Sequence, residues 1–333
     1  MDILKKAAKT VGIALGVIVG LILILYATMW IVRGAVYGES RSVRRYVCAI
    51  PGLSSGFCPQ GVAYSTEYEL YVLTGYEKGN KTVVYIVKDD EATRISVTDA
   101  DGEPLKGHGG GVACAGEFVY IANDSQLVYF HIPNFINAHG KAVAPNGVKP
   151  TDNKASYCFS DGKNMYVGEF YRPGNYETDE RHHYKTPNGD ENKAIVSCYA
   201  LDEHGIIAGD YPEYAISVTD LVQGFAVSGD KYMLSRSYGL AHSSLEYYSG
   251  LKRDGDATVT VSFEKAEELG STVIPLYYLD GTNLYKSLTL PAFAEDLDVV
   301  DGRVIVTNES ACNSYIVGKL FPGADVVYSY PIF

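Results

Sequence analysis

The chain has 333 residues, of which 28 are basic and 40 acidic, and its formal net charge at pH 7 is -12. Residues 1–45 hold seven basic and two acidic side chains, which leaves a formal charge of -17 for the remainder. Such an acidic portion excludes nucleic-acid binding as its function, because phosphate backbones attract basic surfaces. About 290 residues can bury one large core, and all-β architectures of this length commonly form a single domain.

An uncharged apolar run spans residues 11–32. As a helix it would be about 33 Å long, which is enough to cross a bilayer. A cleaved signal peptide has a shorter apolar region, and Tyr26 and Trp30 suit the headgroup level at one end of a retained span. The sequence therefore predicts a tail over 1–10, a transmembrane signal-anchor helix over 11–32, a basic linker over 33–45 and a folded domain over 46–333.

Basic residues flank the run on both sides, so local charge does not decide the orientation of the span. Features of the downstream domain are used instead. All six cysteines follow the span, and Asn-x-Ser/Thr sequons occur at Asn80, Asn123 and Asn308. Both features favour an oxidising compartment. We expect a single-pass cell-membrane protein whose C-terminal domain lies outside. A cytoplasmic domain with buried free thiols is the alternative.

Two local patterns predict a disulfide bond and a contact between two membrane helices. Cys48 and Cys58 are close enough in sequence to close a short disulfide loop, whereas the pairing of the other four cysteines stays open. Gly12, Gly16 and Gly20 recur on one face of the predicted helix. Small residues at this spacing let two helices approach closely, so a homodimer through the helix is one hypothesis. The alternative is that the glycines only reflect the high frequency of glycine in membrane spans.

One repeat unit occurs five times in the domain, as a short alternating strand, a polar turn and a second apolar strand. The copies occupy residues 59–76, 110–123, 155–170, 222–237 and 295–309. They align on a hydrophobic position at Val62, Val112, Tyr157, Phe225 and Leu297. Further strands follow the first four copies at residues 81–87, 126–131, 194–199 and 244–248.

Strand pairs at these spacings predict an all-β domain, a five-bladed β-propeller. A degenerate sixth blade within residues 258–290 is the alternative. Residues 44–50 are expected to pair with the strands of the last blade and close the ring. Polar insertions over 172–193 and 249–271 interrupt the period, and the adjacent His182 and His183 are interpreted as part of a surface loop rather than as metal ligands.

Residues 59–76 and 222–245 resemble the Gln-Gly-Leu…Glu-Ser-Thr-Gly…Ser-Ser-Leu pattern of plant-type glutaminyl-peptide cyclotransferases, which are also propellers. The likeness covers about 40 residues in two copies, and the glutamate of that family is replaced by Arg236. The resemblance implies cyclisation of N-terminal glutaminyl residues. The replacement of the glutamate by Arg236 argues against that activity.

The repeats also resemble gluconolactonase and strictosidine-synthase-like propellers, some of which are signal-anchored. That family holds an axial divalent cation with a glutamate from a Glu-Gly motif and an aspartate from a Pro-Asp-Gly motif. Here the corresponding positions read Gln60-Gly61 and Gln223-Gly224, and an amide is a poor substitute for a charged oxygen ligand. No cofactor and no metal site are predicted, and a channel cation is disfavoured.

The inner strands of a propeller line its central channel, so the starts of the repeats should converge there. These ring positions are Gln60, Gly110, Ser156, Gln223 and Asp296, with Pro59, His108 and Glu295 beside them. We expect a polar ligand site there, for a carbohydrate, peptide or protein. Its candidate residues are Gln60, His108, Glu169, Tyr171, Gln223, Arg236, Tyr238, Glu295 and Glu309. The alternative is that these groups only hydrogen-bond one another and trapped water.

Three functions fit this pattern. A membrane-anchored extracytoplasmic module that binds a ligand or protein is favoured, because each catalytic pattern in the sequence lacks a necessary residue. A propeller hydrolase or cyclotransferase would use Glu169, Glu295 or Glu309 as its base at the channel mouth. A subunit of a membrane complex is the third hypothesis.

Overall fold

The computed structural model describes the backbone of residues 2–315, 323 and 325–333. The chain separates into two compact units, Met1–Val43 and Arg44–Phe333. Met1 of the predicted tail, and residues 316–322 and 324 of the predicted domain, lie outside the described residues.

The first unit is one continuous helix, α1, over Asp2–Val43. Its segment Lys9–Thr28 has a mean hydropathy of 2.6 and is long and apolar enough to cross a membrane, a test that a signal sequence near the N-terminus also passes. The stretch predicted as a linker is helical as far as Val43. It contains no proline, and Arg41 in the last turn interacts favourably with the helix dipole. The predicted dimer contact through Gly12, Gly16 and Gly20 stays a prediction.

The regular secondary structure of the second unit consists almost entirely of β-strands. Its one short α-helix among the described residues is α2, Ile132–Ile136. The strands are β1 Arg45–Ala49, β2 Cys58–Ser65, β3 Leu70–Glu77, β4 Lys81–Lys88, β5 Glu91–Ser96, β6 Val112–Ala115, β7 Phe118–Ala122, β8 Asp124–His131, β9 Gly147–Ser160, β10 Asn164–Glu169, β11 Tyr184–Lys185, β12 Glu191–Asn192, β13 Ala194–Ala200, β14 Tyr214–Val218, β15 Val222–Ser228, β16 Lys231–Arg236, β17 Ser243–Ser249, β18 Thr258–Ser262, β19 Ser271–Tyr278, β20 Leu284–Leu290, β21 Ala294–Val300, β22 Arg303–Asn308 and β23 Val326–Pro331.

Three of the sheets are four-stranded. The first sheet has the order β2-β3-β4-β5, the fourth β15-β16-β17-β20, and the fifth β21-β22-β23-β1. The second sheet, β6-β7-β8-β9, and the third, β9-β10-β13-β14, share the long strand β9 and so form one continuous ladder. Residues 147–150 of β9 pair with β8, and residues 155–160 pair with β10. β19 and β18 extend the third sheet at its outer edge beyond β14.

The innermost strands of the five sheets are β2, β6, β9, β15 and β21. They contact one another in a cycle, from β2 to β6, β9, β15 and β21 and back to β2. Buried apolar clusters fill the spaces between neighbouring sheets, for example Val72, Val84, Val119 and Val128 between the first and second. The molecule therefore has the arrangement typical of a propeller, in which sheets pack face to face around an axis.

The predicted all-β domain with one preceding apolar helix is confirmed. The strands predicted after the first four repeats are present as β4, β8, β13 and β17. The pairing predicted for residues 44–50 is present too, because β1 pairs antiparallel with β23 in the fifth sheet. Residues 258–290, where a sixth blade was the alternative, supply β18 and β19 to the third sheet and β20 to the fourth.

The glycine of each Gln-Gly pair allows two inner strands to approach closely. A Cβ on Gly61 of β2 would lie 2.9 Å from the backbone nitrogen of Val112 in β6. A Cβ on Gly224 of β15 would lie 2.8 Å from the Cα of Asp296 in β21. Real Cβ atoms do not approach backbone this closely. The glycine of the Gln-Gly pattern is therefore explained by the close packing of inner strands around the axis.

The carboxylate of Asp296 joins the inner strands of three sheets. Its Oδ2 accepts the backbone N–H of Val112 at 2.9 Å and that of Val62 at 3.3 Å. Two residues later, Asp298 Oδ2 accepts the N–H of Tyr64 at 2.7 Å. Asp296 is fully buried, and burial raises its pKa well above the usual range. Acids on β21 thus bind the backbones of β2 and β6 across the axis.

The predicted Cys48–Cys58 disulfide is wrong. Cys48 lies on β1, the outermost strand of the fifth sheet, where it packs among apolar side chains. Cys58 begins β2, the innermost strand of the first sheet, and its Sγ lies 2.6 Å from the Sγ of Cys312. The prediction relied on closeness in sequence. Between Cys48 and Cys58, however, the chain passes from the outer edge of the fifth sheet to the inner strand of the first, which separates the two side chains.

We expect Asp296→Ala to lower the free energy of unfolding by about 3 kcal/mol or more, because it leaves two buried backbone donors without an acceptor. Urea unfolding of the full chain in detergent measures the loss. The matched control is Asp101→Ala at an exposed turn, for which we expect a change within about 0.5 kcal/mol. Equal effects of the two substitutions would contradict the role assigned to Asp296.

Candidate functional site

A cavity of about 610 Å³ lies where the inner strands converge. Four of those strands, β2, β9, β15 and β21, contribute polar side chains to its wall. These side chains are Gln60, Lys154, Ser156, Gln223 and Glu295. The loop before β6 contributes His108 and Gly110, so residues from all five inner strands or their approaches meet at one cavity.

The polar side chains reach the cavity because the inner strands are irregular at the same repeat position. The register of β2 against β3 shifts between Pro59 and Gly61, and that of β15 against β16 shifts between Val222 and Gly224. The ladder of β21 against β22 shifts between Ala294 and Leu297. A β-bulge leaves an extra residue unpaired and re-aims its side chain. Gln60, Gln223 and Glu295 are such extra residues.

The third sheet repeats this irregularity on β9. Gly168 pairs with Tyr157 and Glu169 pairs with Ala155, so Ser156 is the extra residue. The Oγ of Ser156 accepts the backbone N–H of Phe170, another residue of the cavity wall. Four of the five inner strands therefore carry a bulge that faces the axis.

Two buried glutamates form the acidic part of the wall. Glu309 Oε2 accepts a hydrogen bond from Gln60 Nε2 at 2.8 Å, and Cys58 Sγ lies 3.4 Å from the same oxygen. Burial raises the pKa of Glu309 to about 7. Burial, followed by the neighbouring charges of Glu309 and Asp296, raises the pKa of Glu295 well above the usual range. Two carboxyl groups this close cannot both ionise readily, so the pair retains a proton near neutral pH.

Aromatic rings form most of the remaining wall. Tyr76 stacks on His108 with ring centroids 4.8 Å apart, and Phe293 packs on Tyr315 at 4.5 Å. Phe170 packs against Tyr176 and Tyr238 at 5.3 and 6.3 Å. Burial lowers the pKa of His108, which keeps its imidazole neutral near pH 7. The cavity thus combines acidic oxygens with aromatic side chains.

Six of the nine predicted site residues line this cavity. They are Gln60, His108, Gln223, Tyr238, Glu295 and Glu309. The other three, Glu169, Tyr171 and Arg236, lie on second strands or just after them but are turned into other contacts. The predicted residues on or just before inner strands thus lie together at the cavity, whereas only two of the five on or after second strands do.

Arg236 is held by an ion-pair network away from the cavity. Its Nη2 lies 2.6 Å from Asp220 Oδ1, and its Nη1 lies 2.9 Å from Glu246 Oε1. Tyr171 is buried, and its hydroxyl accepts a hydrogen bond from Lys193 Nζ at 3.4 Å. Both residues fix the loops around the third and fourth sheets.

Glu169 binds a histidine of the long insertion. Its Oε1 lies 2.9 Å from His182 Nδ1 and accepts the N–H of Ile195 at 3.1 Å. Burial raises the pKa of Glu169. His182 is 2 % exposed, so its interpretation as a surface-loop residue is wrong. The pair anchors the insertion on the third sheet, and a second cleft of about 470 Å³ lies beside it.

Several residues of the cavity wall were not predicted as site residues, namely Tyr76, Asn123, Phe170, Phe293 and Tyr315. Tyr76, Asn123 and Phe170 lie at strand ends of the repeats, so their positions carried a usable signal. Phe293 and Tyr315 lie just outside the last repeat and carried none. No group of three or more His, Cys, Asp or Glu residues suited to a metal ion occurs within the described part of the chain.

No protein-family model matches the sequence, and no curated protein matches it. Among solved structures the chain is similar to U3-55K, with a TM-score of 0.41 and 8 % identity over 87 % of this chain and 98 % of that chain. It is also similar to the WD40 beta propeller domain of Doa1, with a TM-score of 0.38 and 10 % identity over 86 % and 96 % of the two chains. These similarities are too low to argue from, so the fold assignment rests on the strand order and inner-strand contacts of this chain.

Proposed function

We propose that the protein is a membrane-anchored extracytoplasmic binding module, a five-bladed β-propeller whose central cavity takes an ammonium or guanidinium group of a peptide or protein partner. The observation that carries this proposal is the buried Glu295–Glu309 pair beside the aromatic wall of the cavity. A neutral carbohydrate would leave the acidic pair without a counter-charge.

The count of five blades is supported by the cycle of inner-strand contacts, which has five members. The residues that could have formed a sixth blade supply outer strands instead. The pairing of β1 with β23 joins the start of the domain to its last sheet, which is how propellers close.

A cationic ligand is supported by the charges around the cavity. Among the described residues that line it, carboxyl groups belong to Glu295, Glu309, Asp124 and Glu177, whereas the only basic side chain other than neutral His108 is Lys154. Lys154 is exposed at the rim. Cations bind over aromatic rings and beside carboxylates, and aromatic residues and carboxyl groups both line this cavity.

Ligand binding is expected to displace the proton that the glutamate pair retains. Because burial raises the pKa of Glu309 to about 7, the pair gains negative charge as the pH rises through that value. A cation binds the ionised form, so its affinity increases in the same direction.

We expect butylammonium and butylguanidinium to bind in the cavity, with affinity increasing about tenfold between about pH 6 and pH 8. Ligand-observed NMR on the full chain in detergent measures the affinities, and 1-butanol is the uncharged control probe. Glu295→Gln and Glu309→Gln each remove an acidic group while keeping a hydrogen-bond acceptor, so each should weaken binding about tenfold or more.

The matched control is Glu203→Gln, which removes the same charge from an exposed turn outside the cavity. We expect it to change the affinity by less than about twofold, because exposed charges are screened. Equal binding of butanol and butylammonium, or an affinity that does not change with pH, would refute the cation site.

The anchor and orientation are supported by helix α1 and by the sequons. The segment Lys9–Thr28 is long and apolar enough to cross a membrane. Asn80 is exposed in a turn between β3 and β4, whereas Asn123 lines the cavity and Asn308 is half-buried. Asn80 is therefore the sequon most open to modification in the folded domain.

Translation of the full chain with eukaryotic microsomes tests the orientation. We expect the domain to enter the lumen, to acquire a glycan that is lost in part or whole on Asn80→Gln, and to resist added protease. The membrane-embedded chain should stay in the pellet after alkaline extraction. If the domain stays unglycosylated and protease added outside the microsomes digests it, the domain lies on the cytoplasmic side and the proposed orientation is wrong.

A further inference from the structure

Two cysteines that are distant in sequence meet at the junction of the first and fifth sheets. Cys58 begins the inner strand β2, and Cys312 lies in the loop after β22. They are 254 positions apart, and their sulfur atoms are 2.6 Å apart. Their exposed fractions are 1 % and 0 %. This separation is much closer to the bonded distance of about 2.05 Å than to the spacing of two unbonded sulfur atoms.

We propose that Cys58 and Cys312 form a disulfide that ties the inner strand of the first sheet to the loop after β22 of the fifth sheet. The loop is already held by backbone hydrogen bonds. Glu309 N–H donates to Phe293 O, Cys312 N–H to Glu309 O, and Tyr315 N–H to Cys312 O, at 3.1, 3.0 and 3.1 Å. These contacts present Cys312 to Cys58 without further movement of the chain.

The bond forms by exchange with an external disulfide such as oxidised glutathione. The Cys312 thiolate attacks one sulfur of the oxidant and forms a mixed disulfide, and the first glutathione leaves as a thiol with the proton that Cys312 gave up. The Cys58 thiolate then attacks the Cys312 sulfur and releases the second glutathione, which takes the Cys58 proton. Both protein thiols are oxidised and the glutathione disulfide is reduced to two thiols.

The surroundings of the two sulfur atoms differ in a way that suits this order of events. A hydrogen bond from Cys58 lowers the pKa of Cys312 to about 6. The contact with Cys312, burial and the charge of Glu309 raise the pKa of Cys58. Cys312 is thus the thiolate near neutral pH and attacks first. Both groups are buried in the finished fold, so the exchange takes place as the loop packs, when Cys312 has reached Cys58 and the oxidant is not yet excluded.

The bond would reinforce the closure of the ring at its inner end. At the outer end, closure depends on the hydrogen bonds between β1 and β23. At the inner end, the loop of Cys312 carries Glu309 and Tyr315 on the cavity wall. A covalent link there fixes the two side chains against Gln60 and Tyr76 of the first sheet.

Peptide mapping of the full chain tests the bond directly. Cys48 and Cys58 lie on the same tryptic peptide, residues 46–78, so the map is made in a Cys48→Ser background. After exposure to oxidised glutathione and alkylation under denaturing conditions, we expect residues 46–78 to be linked to residues 304–319, with the link lost on reduction. Two alkylated peptides with no link, or a link from Cys58 to another cysteine, would overturn the proposal.

Thermal unfolding with and without reductant gives an independent test. We expect Cys58→Ser, Cys312→Ser and the double variant to have the same Tm, roughly 5–15 °C below the oxidised wild type. Reductant should lower the Tm of the wild type by a similar amount and leave that of the variants unchanged. The Cys48→Ser control, which removes a buried thiol with no sulfur partner, should keep its sensitivity to reductant.

The proposal would be overturned if the losses of Tm add in the double variant and reductant does not change the Tm of the wild type. The two residues would then act as packed thiols. Neither experiment uses a ligand of the cavity. The disulfide can therefore fail while the proposed cation site stands, and the reverse is equally distinguishable.

Discussion

The carboxylate of Asp296 accepts backbone hydrogen bonds from inner strands of two other sheets, and the arrangement around the axis depends on it. Val62 of β2 and Val112 of β6 donate to the same oxygen. Inner strands of a propeller belong to different ladders, so their backbones have no regular partners across the axis. A buried acceptor between them fixes their relative height. Because burying a charge without partners is costly, the position tolerates a carboxyl group only with these donors in place.

The neighbouring residue on the same strand has the opposite role. Glu295 lies in the bulge of β21 and faces the cavity, where it meets Glu309 rather than a row of backbone donors. β21 thus places the carboxyl group of Asp296 among backbone donors and that of Glu295 in the cavity wall. The bulges at Gln60, Ser156 and Gln223 direct side chains to the same cavity from three other sheets. The repeat therefore sets both the packing of the inner strands and the composition of the cavity wall.

Much of this arrangement could be predicted from residue patterns. Alternating apolar strands revealed the repeats, and the positions of Gln60, Gln223 and Glu295 followed from their alignment. The alignment placed Asp296 at the ring position with Glu295 beside it, because a bulge that spans two residues is not visible in an apolar–polar pattern. Long-range contacts were also out of reach. Neither the burial of His182 on Glu169 nor the meeting of Cys58 with Cys312 leaves a local signal in the sequence.

Infrared difference spectroscopy of the full chain across about pH 5 to 9 tests the central claim, that buried acids around the axis keep protons near neutral pH. Burial raises the pKa of Asp298 and of Glu309 to about 7 each. The account predicts a carbonyl band of protonated carboxyl groups that persists above pH 6 and loses intensity through about pH 7, with part of that loss absent in Glu309→Gln. Complete ionisation of all carboxyl groups below about pH 5.5 would contradict it.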